Sequence, residues 1–136
     1  MAAILIVGDL TVTAPWVAAL MDDGHYTETC EGALDFQRHF AGQPFDVMVL
    51  DIVHADQGEA MLIPQVRAKW PDCRIIVTVN DYSFSASQFY RMGLWAPDDM
   101  LLKPFALGAL RRRVRRAMVQ PPVETVSDLR ATASTR

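Results

Sequence analysis

Four apolar runs organise the chain, and each ends on a chemically active side chain. Ile4-Leu5-Ile6-Val7-Gly8-Asp9 ends in a carboxylate, and so does Val47-Met48-Val49-Leu50-Asp51. Ile75-Ile76-Val77-Thr78 ends in a hydroxyl, and Met100-Leu101-Leu102-Lys103-Pro104 in an ammonium. Short apolar runs without alternation suit strands buried on both faces, as in a parallel sheet. A fifth segment, residues 25–30, alternates polar and apolar positions and suits a sheet edge. Helical spacing fills the gaps. Trp16, Val17, Leu20 and Met21 mark a first helix, with Thr13 as its expected cap, Pro15 in its first turn and Asp22-Asp23-Gly24 as its stop. Ala33, Leu34, Phe36 and Phe40 mark a second, ended by Gly42 and Pro44. Met61, Leu62, Val66 and Trp70 mark a third, in which Pro64 is expected to kink the helix or move its start. Residues 83–92 are expected to form a fourth helix and 105–119 a fifth, the latter with Leu107, Leu110, Val114 and Met118 along one face.

Strands alternating with helices predict an α/β domain: a five-stranded parallel sheet, doubly wound and flavodoxin-like, with right-handed crossovers. Residues 1–119 are expected to form this domain. Residues 120–136, rich in Thr, Ser and Ala, are expected to be a flexible tail or linker.

Composition narrows the picture. The chain has 136 residues, 51% of them hydrophobic and 21% charged, enough for one domain with a sizeable core. Its net charge of −3 argues against nucleic-acid binding. Cys30 and Cys73 lack metal-ligand spacing and are expected to be buried, reduced thiols. The amino-terminal residues lack the basic flank of a signal peptide, and no apolar run is long enough to span a bilayer, so a cytoplasmic location is expected.

In open parallel sheets chemistry gathers at the carboxyl ends of the strands. Asp9, Asp51, Thr78 and Lys103 would converge there. This set, in this order and over residues 3–119, resembles the receiver domain of two-component response regulators. The resemblance implies that Asp51 is the phosphoacceptor, with Thr78 and Lys103 contacting the phosphoryl group. It implies a Mg²⁺ ion held by Asp9, Asp51 and the backbone carbonyl of Val53. It also implies a histidine kinase or phosphotransfer protein as donor, and a downstream protein partner on the face of the fourth helix, fifth strand and fifth helix. Such a domain is a signalling module rather than an enzyme, though it catalyses its own phosphorylation and dephosphorylation. The alternative is an atypical receiver, a phosphorylation-independent interaction module.

Four positions depart from the family pattern. Gly8 replaces an acid, which predicts weaker Mg²⁺ binding, and an acid restored there is expected to tighten it. The loop after Asp51 is short, which brings His54, Asp56 or Glu59 towards the site. Val79 follows Thr78, where its branched side chain is expected to narrow access. Met100 stands in place of a switch aromatic, for which Trp95 or Tyr82 are candidate substitutes. The run Arg111-Arg112-Arg113-Val114-Arg115-Arg116 reads first as the solvated face of an amphipathic helix. A docking surface for an acidic partner or a homodimer contact is the alternative.

Overall fold

A computed structural model describes residues 1–39, 42–53, 58–80 and 97–119. Five strands form one all-parallel sheet in the order β2-β1-β3-β4-β5: β1 Ala3–Val7, β2 Tyr26–Cys30, β3 Val47–Ile52, β4 Arg74–Val79 and β5 Asp99–Leu102. The three central strands are the most apolar and β-branched segments, and they are buried on both faces. The polar strand β2 takes an edge, as its alternation predicts.

The helices are α1 (Leu10–Asp22), α2 (Ala33–Phe36), α3 (Leu62–Lys69) and α4 (Leu107–Val119). The sheet divides the core into two layers. On one side Leu5, Val7, Leu50, Ile52, Val77 and Val79 pack with Phe36, Ile63, Val66 and Trp70 of α2, α3 and the turn after α3. On the other, Ile4, Ile6, Val47, Val49, Ile76 and Leu101 pack with Trp16 and Leu20 of α1 and Leu110 and Val114 of α4. Burial of each such side chain contributes about 1.5–3 kcal/mol.

Two acids, the exposed Asp46 and the half-buried Asp98, tie the amino-terminal ends of the strands. Asp46 Oδ2 accepts from the Ala3 amide at 2.8 Å, and Asp98 Oδ2 accepts from the Ile75 amide at 2.7 Å. The Arg67 guanidinium pairs with the same Asp98 oxygen at 3.4 Å, with both side chains less than a tenth exposed.

Several local expectations change. The first helix starts three residues before Thr13. Asp9 is its cap, because a carboxylate one turn earlier already accepts from the Thr11 amide. Thr13 is therefore inside the helix and buried, and Pro15 lies in the helix interior rather than its first turn. The second helix is a single α turn continued by a 3₁₀ turn, Gln37–His39, and Leu34 is 89% exposed instead of facing the core. Pro64 does move the start of its helix: a 3₁₀ turn, Gly58–Met61, precedes α3. In α4 the buried stripe is Leu110, Val114 and Ala117, while Leu107 and Met118 lie at its margins. The expected helix over 83–92, the residues His54, Asp56, Tyr82 and Trp95, and the tail from 120 lie outside the described residues.

Candidate functional site

Pleat and register assemble the site. Side chains alternate across a strand, so Asp51 shares a face with Val47 and Val49, and Thr78 with Ile76. Asp51 and Thr78 are direct register partners on β3 and β4. Lys103 continues the side of Leu101, and Gly8 that of Ile4 and Ile6. All four therefore face the α1/α4 layer at the carboxyl edge of the sheet.

There Asp51 is 3% exposed. Its Oδ1 accepts from the Thr78 hydroxyl at 2.8 Å and lies 2.6 Å from Lys103 Nζ. A buried carboxylate needs such partners, since an unpaired buried charge is costly. Lys103 is held by its own amide, which donates to the Val79 carbonyl at 2.7 Å, and the Lys103-Pro104 peptide is cis.

Asp9 is exposed. Its Oδ1 accepts from the Thr11 hydroxyl at 2.7 Å and the Thr11 amide at 2.9 Å, and these bonds hold its carboxyl below the usual value. The Val53 carbonyl accepts from Asn80 Nδ2 at 3.4 Å. Asn80 is a site neighbour that sequence reading did not single out. The signal was present, since an Asn on the same pleat face as Thr78 can reach the edge.

The oxygen donors fit a hard cation. Among the described residues no three acidic, His or Cys side chains cluster. Mg²⁺ does not require that, because it takes one or two carboxylates and keeps several waters. Asp51 Oδ2 is free of the Lys103 and Thr78 contacts, and Asp9 commits only Oδ1 to its cap.

Gly8 is part of the packing. Its amide donates to the Cys30 carbonyl at 2.9 Å. A Cβ there would lie 2.9 Å from Asp51 Cβ, 3.2 Å from Thr13 Cγ2 and 3.5 Å from Asp51 Oδ2. Thus an acid cannot simply be restored at this position, contrary to the sequence-based expectation. Val79 also departs from its expected role: it packs into the α2/α3 layer, on the face opposite Asp51. Met100 is half-buried against that same layer. Glu59 is half-buried with its Oε2 unpartnered among the described residues.

The parallel order and this edge define a flavodoxin-like α/β domain with the receiver fold. Solved structures agree. The response regulator TrrA from Thermotoga maritima, in complex with Mg²⁺ and BeF, matches at TM-score 0.72 and 23% identity, over 86% of this chain and 99% of that one. A CheY-like receiver domain protein from Methanospirillum hungatei matches at TM-score 0.75 and 19% identity, over 87% and 94%. NtrX from Brucella abortus, in complex with ADP, matches at TM-score 0.74 and 20% identity over 98% of this chain, which spans only 28% of NtrX. No model of a known family and no curated protein sequence matches the chain. No helix among the described residues is long and apolar enough to cross a membrane.

Proposed function

We propose that residues 1–119 are a phosphoacceptor receiver domain of a two-component system, phosphorylated on Asp51, with residues 120–136 as a tail or linker. One observation carries this reading: a buried carboxylate at the carboxyl edge of a parallel sheet, with one oxygen shared by the Thr78 hydroxyl and the Lys103 ammonium.

An Asp51 oxygen attacks the phosphorus of a phosphohistidine on a kinase or phosphotransfer protein. The phosphorus–nitrogen bond breaks and the imidazole leaves. The charge of Lys103 is then shared with a phosphoryl oxygen, and the Thr78 hydroxyl donates to the phosphoryl group instead of the carboxylate. Later attack by water breaks the phosphorus–oxygen bond and returns the carboxylate. Asp9, Asp51 and the Val53 carbonyl would hold Mg²⁺, which when bound neutralises the approaching anions. The movement of Thr78 towards the phosphoryl group alters a partner-binding face beside β5 and α4. The location proposed is cytoplasmic.

Incubation with acetyl phosphate and Mg²⁺, followed by intact-mass measurement, tests the reading. A phosphoryl adduct is expected on the wild type and not on Asp51→Asn. An equal adduct on both would refute Asp51 as acceptor. No adduct on either, with acetyl phosphate and a phosphotransfer donor, would favour the phosphorylation-independent interaction module.

A further inference from the structure

The arginine run on α4 divides into two groups. Arg111 donates to the Ala19 carbonyl from Nε and a terminal nitrogen, at 3.3 and 3.1 Å, and pairs with Asp23 at 3.4 Å. It thus fastens α4 to the end of α1. Arg113 pairs with Asp99 and donates to the Met100 carbonyl, which fastens α4 to the edge strand β5. These two are structural, which corrects the reading of the whole run as a solvated face.

Arg112, Arg115 and Arg116 differ. They are exposed and have no hydrogen bond or ion pair among the described residues. Every other described arginine has one: Arg38 with Asp35, Arg67 with Asp98, Arg74 with the Asp72 carbonyl, and Arg111 and Arg113 as above. The three unpaired guanidinia lie at spacings of three and four, on the face opposite Leu110, Val114 and Ala117. Gly108 and Val119 lie on the same face. A Cβ at Gly108 would be 3.4 Å from an Arg112 terminal nitrogen.

Helix electrostatics do not account for this stripe. The macrodipole favours cations only in the last turn, which covers Arg116 but neither Arg115 nor Arg112 in the middle of the helix. Like charges three and four apart repel, and α4 contains no acidic residue to offset them.

We propose that the outer face of α4 docks an acidic segment of a protein partner, with Arg112, Arg115 and Arg116 as its anchors. Guanidinium forks match carboxylates in paired hydrogen bonds. The stripe is one helix wide, and the neighbouring α1 contains no basic residue. A nucleic-acid duplex would need a broader basic footprint and would meet a chain of net charge −3. An anionic membrane calls for about four to eight clustered cations. A short acidic segment needs neither.

The test compares a fluorescein-labelled oligoglutamate peptide, a labelled DNA duplex and phosphatidylglycerol vesicles by anisotropy and sedimentation. The wild type is expected to prefer the peptide, with affinity falling as salt rises. Arg112→Gln/Arg115→Gln/Arg116→Gln is expected to lose about tenfold or more in affinity. These side chains are exposed, and circular dichroism checks that the variant keeps its helix content. Lys69→Glu controls for general charge, and Asp51→Asn is expected to bind the peptide like wild type, which separates this surface from the phosphoacceptor reading. Equal binding by the triple Gln variant, no binding by wild type, or tighter binding of DNA or vesicles would each overturn the proposal.

Discussion

Gly8→Ala is the most direct test of how the site is packed. The new Cβ would sit 2.9 Å from Asp51 Cβ and 3.2 Å from Thr13 Cγ2, whereas carbon atoms in favourable contact stand about 3.5–4.0 Å apart. Neither neighbour can easily give way. Asp51 is fixed by Lys103 and Thr78, and Thr13 is buried within α1. The strand must shift by roughly half an ångström, at the cost of overpacking, about 1–3 kcal/mol. In a domain of this size each kcal/mol moves Tm by about 3–6 °C, so a fall of about 3–18 °C is expected in a thermal melt. Gly32→Ala is the control: its backbone is extended and a Cβ there meets nothing within 4 Å, so its Tm should not fall. Gly8→Asp carries the same clash and sets a second carboxylate against Asp51, so it should melt at least as low as Gly8→Ala. If Gly8→Ala melts with wild type, or Gly32→Ala falls as far, the close approach of β1 to Asp51 is not what Gly8 provides.

Other outcomes follow from features elsewhere in the domain. Asp98→Ala should cost about 3–5 kcal/mol in urea unfolding, because it leaves the buried Arg67 charge without this partner and frees the Ile75 amide; a loss below about 1 kcal/mol would rule out a buried pair. Thr11→Val should return the Asp9 carboxyl towards its ordinary value and loosen the start of α1, readable as a shifted carboxyl resonance in an NMR pH titration; an unchanged titration would mean Thr11 does not hold Asp9. Burial pushes both Cys30 and Cys73 up to about 12. The folded state thus keeps thiol protons that the unfolded chain releases near pH 8.5–9, and their contribution to stability is full below about pH 9 and lost as pH rises towards 12. Cys30→Ala/Cys73→Ala should lose less stability than wild type between about pH 9 and 11, measured by urea midpoints; parallel loss in both would show the thiols are not responsible.

The sheet was legible because its central strands are continuous apolar runs, and each ends on the residue that the edge uses. The same continuity hid the pleat. With both faces apolar, Arg74 to Val79 shows its sides only once Thr78 is placed at the edge; alternation then puts Val79 on the opposite face, which the expected narrowing of access overlooked. Thr13 was misplaced because Asp9 and Thr13 are both good caps one turn apart, and only the backbone decides between them. The arginine run gave charge and helical spacing but not partners, since Asp22, Asp23 and Asp99 lie far away in sequence. The tight fit around Gly8 was invisible, because a missing side chain carries no record of the space it leaves.

The two core layers also differ in what light can report. Trp16 lies 5.1 Å from Phe105 at 42°, and Phe105 is two residues beyond Lys103. Trp70 lies in the other layer, against Phe36 at 5.9 Å and Phe45 at 5.6 Å. In a Trp70→Phe/Trp95→Phe background, emission from Trp16 therefore senses the segment that carries the site's ammonium. The protein thus carries a fluorescent probe of its own edge, with no dye needed.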